Sequence, residues 1–302
     1  MSKTKFILLS LAAIVGITFG AIWAFNALIG SKSYSAPWTP KRNPEELKSA
    51  CKRHVREADR KAAEAIAKRS QTFAAFIDSK KAGARPFSKD IVTFYGKWRA
   101  VKPYLPFTKE NGHKEYVEEK FAQHIFSKSD LAAAMRLAIE GSIKDVESIE
   151  NELAVSLRQE VLGRSLAPDE MPIAAEQFKK AIEQIITASQ LDAAKTAGSL
   201  IVSEVAAQVA TQVMIRLGVS AGILTTGAAN SWWSFGGALV IGVIVDFVWG
   251  WIDDPEGDIE REMVTALDRL SAQASTAISE EMNKVVSQRS GLWTKTIEGI
   301  VP

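Results

Sequence analysis

Apolar positions recur at steps of three and four residues over most of this chain, which is the period of an α-helix. One run repeats at Met135, Ile139, Ile143, Val146, Ile149, Leu153, Leu157 and Val161. A second repeats at Ile259, Met263, Leu267, Leu270, Ala274, Ile278, Met282 and Val285. No segment alternates convincingly with a period of two. We therefore predict an all-α fold in which long amphipathic helices, with coiled-coil-like spacing, form a helical bundle.

Local signals mark the ends of these helices. Pro44 stands where the first residue of a helix belongs, with Asn43 before it as a cap. Ser127 to Asp130 matches a loose capping box ahead of the 135–161 run. Gly163 and Gly291 follow the two apolar repeats and predict their C-terminal ends. A further helix is expected from about residue 172 to Arg216, continuing without an obvious break into the segment that follows.

That following segment, residues 217–252, is the most apolar part of the body, and Asp246 is its only formally charged residue. Its second half, from Trp232 to Ile252, is long enough to cross about 30 Å of hydrocarbon and has tryptophans at both ends. A helix buried in a soluble bundle is the alternative reading. The first half is glycine-rich and suits one arm of a helical hairpin that turns near Asn230, with a single span as the alternative.

Charge and small residues suggest how this segment packs. Arg216 is the nearest cation upstream, so folding back near Asn230 would place it opposite Asp246, and we predict a structural ion pair between them. Small residues at every fourth position would let helices approach closely, as in a glycine zipper. The predicted helix-packing residues are Gly16, Gly20, Ala238, Gly242 and Gly250.

The N-terminus carries an uncharged run from Phe6 to Ile29, preceded by Lys3 and Lys5. This run is longer than the apolar core of a secretory signal peptide, so an uncleaved membrane anchor is expected, with a cleaved signal as the alternative. We expect a bacterial inner (cytoplasmic) membrane. Basic residues flank the run on both sides and leave the orientation open, with a lean towards the N-terminus inside.

These patterns divide the chain into consecutive regions with different expected environments. The regions are a transmembrane anchor (1–30), a Pro/Ser linker (31–43), a helical body (44–216) with an aromatic-rich subregion (82–126), a membrane-inserted or deeply buried apolar segment (217–252), and a C-terminal amphipathic helix with a tail (253–302).

The aromatic-rich subregion interleaves rings with lysines and arginines. Such a pattern can bind bases, sugars or lipid headgroups, and the candidate binding surface is Tyr95, Trp98, Arg99 and Tyr104. The favoured interpretation is that the rings form a small satellite core while the cations stay in water.

Catalytic and cofactor motifs are weak. Ser49 and Lys52 match the S-x-x-K spacing of penicillin-binding enzymes, but the S-D-N and K-T-G partners are missing from the sequence. There is no P-loop or dinucleotide-binding glycine motif, and the single cysteine, Cys51, excludes an intramolecular disulfide. We predict no catalytic residue, no cofactor and no metal site.

Two function classes follow. The favoured one is a membrane-anchored helical interaction or scaffold protein whose partners are the lipid bilayer and either another protein or further copies of itself, joined through the small-residue faces. The alternative is a membrane-inserting pore or channel component built on the apolar hairpin. In layout alone, amphipathic helices around an apolar hairpin resemble colicin pore-forming domains. A net charge of +2 argues against a nucleic-acid partner.

Overall fold

All of the regular secondary structure that is described is helical. The structure, a computed structural model, describes residues 43–101, 111–163, 202–217 and 259–300, together with 165, 168, 169 and 171. At 95–101, 111–115, 202–204 and 299–300 it describes the backbone alone. The helices are α1 (Pro44–Lys80), α2 (Ala84–Val101), α3 (Asn111–His124), α4 (Lys128–Leu162), α5 (Val202–Arg216) and α6 (Ile259–Ile300), with a 3₁₀ turn at Lys81–Gly83 between α1 and α2.

This architecture confirms the all-α prediction for the part of the chain that is described. Within that part, no helix has both the length and the apolar character that a membrane crossing requires. The anchor at 1–30, the linker up to residue 42, the helical stretch 172–201 and the apolar segment from 218 to 252 lie outside the described residues. Their structures stay predictions.

The predicted helix ends of α1 and α4 are confirmed by their hydrogen bonds. The Asn43 side chain accepts a bond from the Glu45 amide at 3.1 Å, which satisfies one of the free N–H groups of the first turn. Ser127 and Asp130 cap each other reciprocally: the Ser127 amide donates to Asp130 at 2.9 Å, and the Asp130 amide donates to Ser127 at 3.2 Å. Gly163 ends α4 with a positive φ of 63°, which glycine adopts without a steric penalty.

The end of α6 differs from the sequence prediction, and the end of α5 can be compared with it only in part. Helix α5 ends at Arg216, and the Leu217 amide is shared between the carbonyls of Val213 and Met214, which tightens the last turn. The residues from 218 onward, into which the helix was expected to continue, lie outside the described part. Helix α6 passes through Gly291 and extends to Ile300. Burial of Leu292, Trp293 and Ile297 outweighs the roughly 1 kcal/mol that an internal glycine costs a helix.

The chain divides into two units, each with its own core. Of the described residues, those within Met1–Ala65, Ile143–Val205 and Asn283–Pro302 form the first unit, and those within Ile66–Ser142 and Ala206–Met282 form the second. In the first unit, the start of α1, the second half of α4 and the end of α6 bury one apolar cluster. Its members are Leu47, Cys51, Val55, Ala58, Leu153, Ala154, Leu157, Leu292, Trp293 and Ile297.

A cluster of phenylalanines forms part of the core of the second unit. Phe121 of α3 makes edge-to-face contacts with Phe87 at 6.1 Å and with Phe126 at 5.1 Å between ring centroids, and all three rings are buried. For these three rings, the expectation of a satellite core in the aromatic-rich subregion is confirmed, and Lys89 is exposed. The side chains at 95–110 lie outside the described part, so for them it stays a prediction. On another side of the unit, Ser279 of α6 lies 2.8 Å from Ser70 of α1, Oγ to Oγ.

Gly83 lies at the end of the 3₁₀ turn. Among the described glycines of the second unit, it lies closest to the backbone of another helix. A Cβ at this position would lie 1.8 Å from the carbonyl oxygen of His124 and 2.7 Å from its carbonyl carbon. Both atoms belong to the backbone of α3 and cannot rotate away. The α1–α2 turn therefore needs glycine for lack of space.

We expect Gly83→Ala to destabilise the protein by about 1 to 3 kcal/mol, the usual cost of overpacking, because α3 must shift. Gly291→Ala is the matched control: a Cβ there meets nothing within 4 Å, so alanine should stabilise α6 by up to about 1 kcal/mol. Thermal unfolding followed by circular dichroism measures both changes. Equal melting temperatures for the two variants would contradict the close approach.

Candidate functional site

The first unit contains a desolvated ion pair between α4 and α6. Arg289 donates two parallel hydrogen bonds to Glu150, one from Nε to Oε1 at 2.5 Å and one from a terminal nitrogen to Oε2. The side chains are 6% and 12% exposed. Trp293 Nε1 also donates to Glu150 Oε1, at 3.1 Å. The carboxylate of Glu150 is thus held by two side chains, one turn apart on α6.

Asp59 of α1 lies beside this pair. Ser290 Oγ donates to Asp59 Oδ2 at 2.7 Å. Burial raises the pKa of the Asp59 carboxyl, the Ser290 hydrogen bond opposes that rise, and the negative charge of Glu150 adds to it. Clustered carboxylates with a shifted pKa can mark a functional site, and they also arise where polar side chains join helices. Here every named contact joins two different helices.

Two further polar contacts lie at the end of the first unit where α1 begins. His54 Nε2 is 3.2 Å from Glu160 Oε2 of α4, and Lys52 Nζ donates to Glu298 Oε1 of α6 at 2.8 Å.

Burial, and secondarily the charge of Glu160, raises the pKa of the Cys51 thiol to about 11. A thiol that is protonated at neutral pH is a poor nucleophile and a poor metal ligand.

The second unit has its own polar contacts between helices. Asp90 of α2 is 3.0 Å from both His124 Nε2 and Lys120 Nζ of α3, and these hydrogen bonds lower the pKa of the Asp90 carboxyl. Among the described residues, no group of three His, Cys, Asp or Glu side chains could hold a metal ion.

An apolar groove opens on the surface of the second unit, between α1 and α4. Its volume is about 300 Å³, and Phe73, Phe76, Ala134 and Leu137 are among the residues that line it. Leu137 is 60% exposed, although it is a large apolar side chain. Exposed apolar surface of this kind can mark a contact site for a partner.

Of the predicted ion pair between Arg216 and Asp246, the structure describes Arg216 alone. Arg216 lies at the end of α5 and pairs with two carboxylates of α6, Glu280 and Glu281; the distance from Arg216 to Glu281 Oε1 is 2.8 Å. These partners, Glu280 first, raise the pKa of the Arg216 guanidinium. Asp246 lies outside the described residues, so its pairing with Arg216 stays a prediction.

The other predicted site residues are not brought together by described contacts. Tyr95, Trp98 and Arg99 lie in α2, where the backbone alone is described, and Tyr104 lies outside the described residues. The predicted helix-packing residues also lie outside them, namely Gly16, Gly20, Ala238, Gly242 and Gly250.

Sequence reasoning missed the Asp59, Glu150 and Arg289 cluster, although a signal was present. Arg289 continues the apolar positions of α6 that include Met282 and Val285, at helical spacing. A charged residue in register with an apolar stripe is expected to face the core, so it needs a buried partner. Nothing in the sequence identified which carboxylate that partner would be.

We expect Arg289→Met to destabilise the protein by about 3 to 5 kcal/mol, because Glu150 would be left charged and buried. Adding Glu150→Leu to Arg289→Met should recover much of that loss. The matched control is Arg60→Met, which removes an exposed arginine paired within its own helix and should change stability little. Chemical denaturation midpoints compare the variants. A double variant as unstable as the single one would contradict the desolvated pair.

Asp59→Asn should stabilise the protein in a pH-dependent manner. A carboxyl whose pKa is raised on folding favours the folded state most when it is protonated, and this contribution is lost as pH rises through the folded pKa. The melting-temperature advantage of Asp59→Asn over the wild type should therefore be small near pH 3.5 and larger at pH 7. An advantage that shrinks towards pH 7 would contradict the raised pKa.

Comparison of this chain with protein-family models, with curated protein sequences and with solved structures gives no match.

Proposed function

We propose that this protein is a membrane-anchored α-helical interaction or scaffold protein with no catalytic role. One observation carries the proposal: the described side chains best suited to chemistry are engaged in joining helices. Glu150, Arg289 and Asp59 connect helices in the first unit, and Asp90 and His124 connect α2 to α3 in the second. Groups used in this way hold long helices in register.

The membrane part of the proposal is supported by the N-terminal sequence. The uncharged run from Phe6 to Ile29 would extend about 36 Å as a helix, compared with a hydrocarbon core of about 30 Å. Residues 31–43, rich in Pro and Ser, would then connect the anchor to α1. The lipid bilayer is accordingly one proposed partner, and the bacterial inner membrane is the proposed location.

The interaction part is supported by the dimensions of the described helices. Helices α1, α4 and α6 contain 37, 35 and 42 residues. A helix rises about 1.5 Å per residue, so each of these is more than 50 Å long. Helices of this length present extended surfaces, which suits a protein that positions or joins others. The groove beside Leu137 is a candidate contact site on such a surface.

Extraction of membranes from cells that express the full-length chain tests the anchor. The wild type should stay in the membrane pellet after carbonate treatment at high pH and should be released by detergent. Ile14→Arg with Ile17→Arg should weaken retention, because each arginine at the centre of a span costs about 2.5 to 3.5 kcal/mol on insertion scales. The control is Thr4→Arg, which adds charge outside the run. Release of the wild type by carbonate would contradict the anchor.

Reconstitution of the detergent-purified chain into liposomes tests the scaffold role against the pore alternative. We expect liposomes that contain the full-length protein to show no ion conductance above that of protein-free liposomes. Reproducible single-channel currents would contradict the scaffold role and favour a pore or channel component.

A further inference from the structure

We draw no further inference here: the strongest candidate, the apolar groove between α1 and α4 beside the exposed Leu137, carries none because nothing in the structure shows what covers it.

Discussion

The buried ion pair of Glu150 and Arg289 restricts how α4 and α6 can align in the first unit. Apolar stripes on long helices repeat every three or four residues, so hydrophobic contact alone tolerates a slip of one turn. A slip of about 5.4 Å would separate Arg289 from Glu150 and leave two charges without partners in a desolvated site. The pair therefore selects one register of α4 against α6. The bond from Trp293 to the same carboxylate reinforces that selection.

Asp59 shows the cost of such a polar layer. Burial raises the pKa of the Asp59 carboxyl, and the negative charge of the nearby Glu150 adds to that rise. Ser290 offsets part of this cost by donating a hydrogen bond to Asp59. The arrangement favours a defined alignment of three helices over maximal stability. That property suits a scaffold, whose function depends on where its surfaces lie.

In the second unit, the helices are aligned by close contacts through glycine and small side chains. Gly83 brings the α1–α2 turn against the backbone of α3, and Ser70 and Ser279 let α1 and α6 meet with small side chains between them. Phe87, Phe121 and Phe126 contact one another in the core of the same unit. The groove beside Leu137 is left open, and an open apolar recess beside an exposed leucine is the part of this unit most ready to accept another surface.

The sequence by itself determined the all-α class and several helix ends, because these depend on local properties. The period of apolar positions predicts helices, and Asn43, the Ser127 to Asp130 box and Gly163 mark boundaries through hydrogen bonds and φ angles within a few residues. It also indicated that rings of the 82–126 region would form a core, as Phe87, Phe121 and Phe126 do. Only the tertiary structure decided that α6 continues through Gly291, because burial of Trp293 comes from distant helices. It likewise decided the partners of Arg289 and Arg216 and the opening of the groove, since each depends on which helices meet and at what level. A periodic pattern encodes which face of a helix is buried, but many pairings and registers satisfy the same pattern.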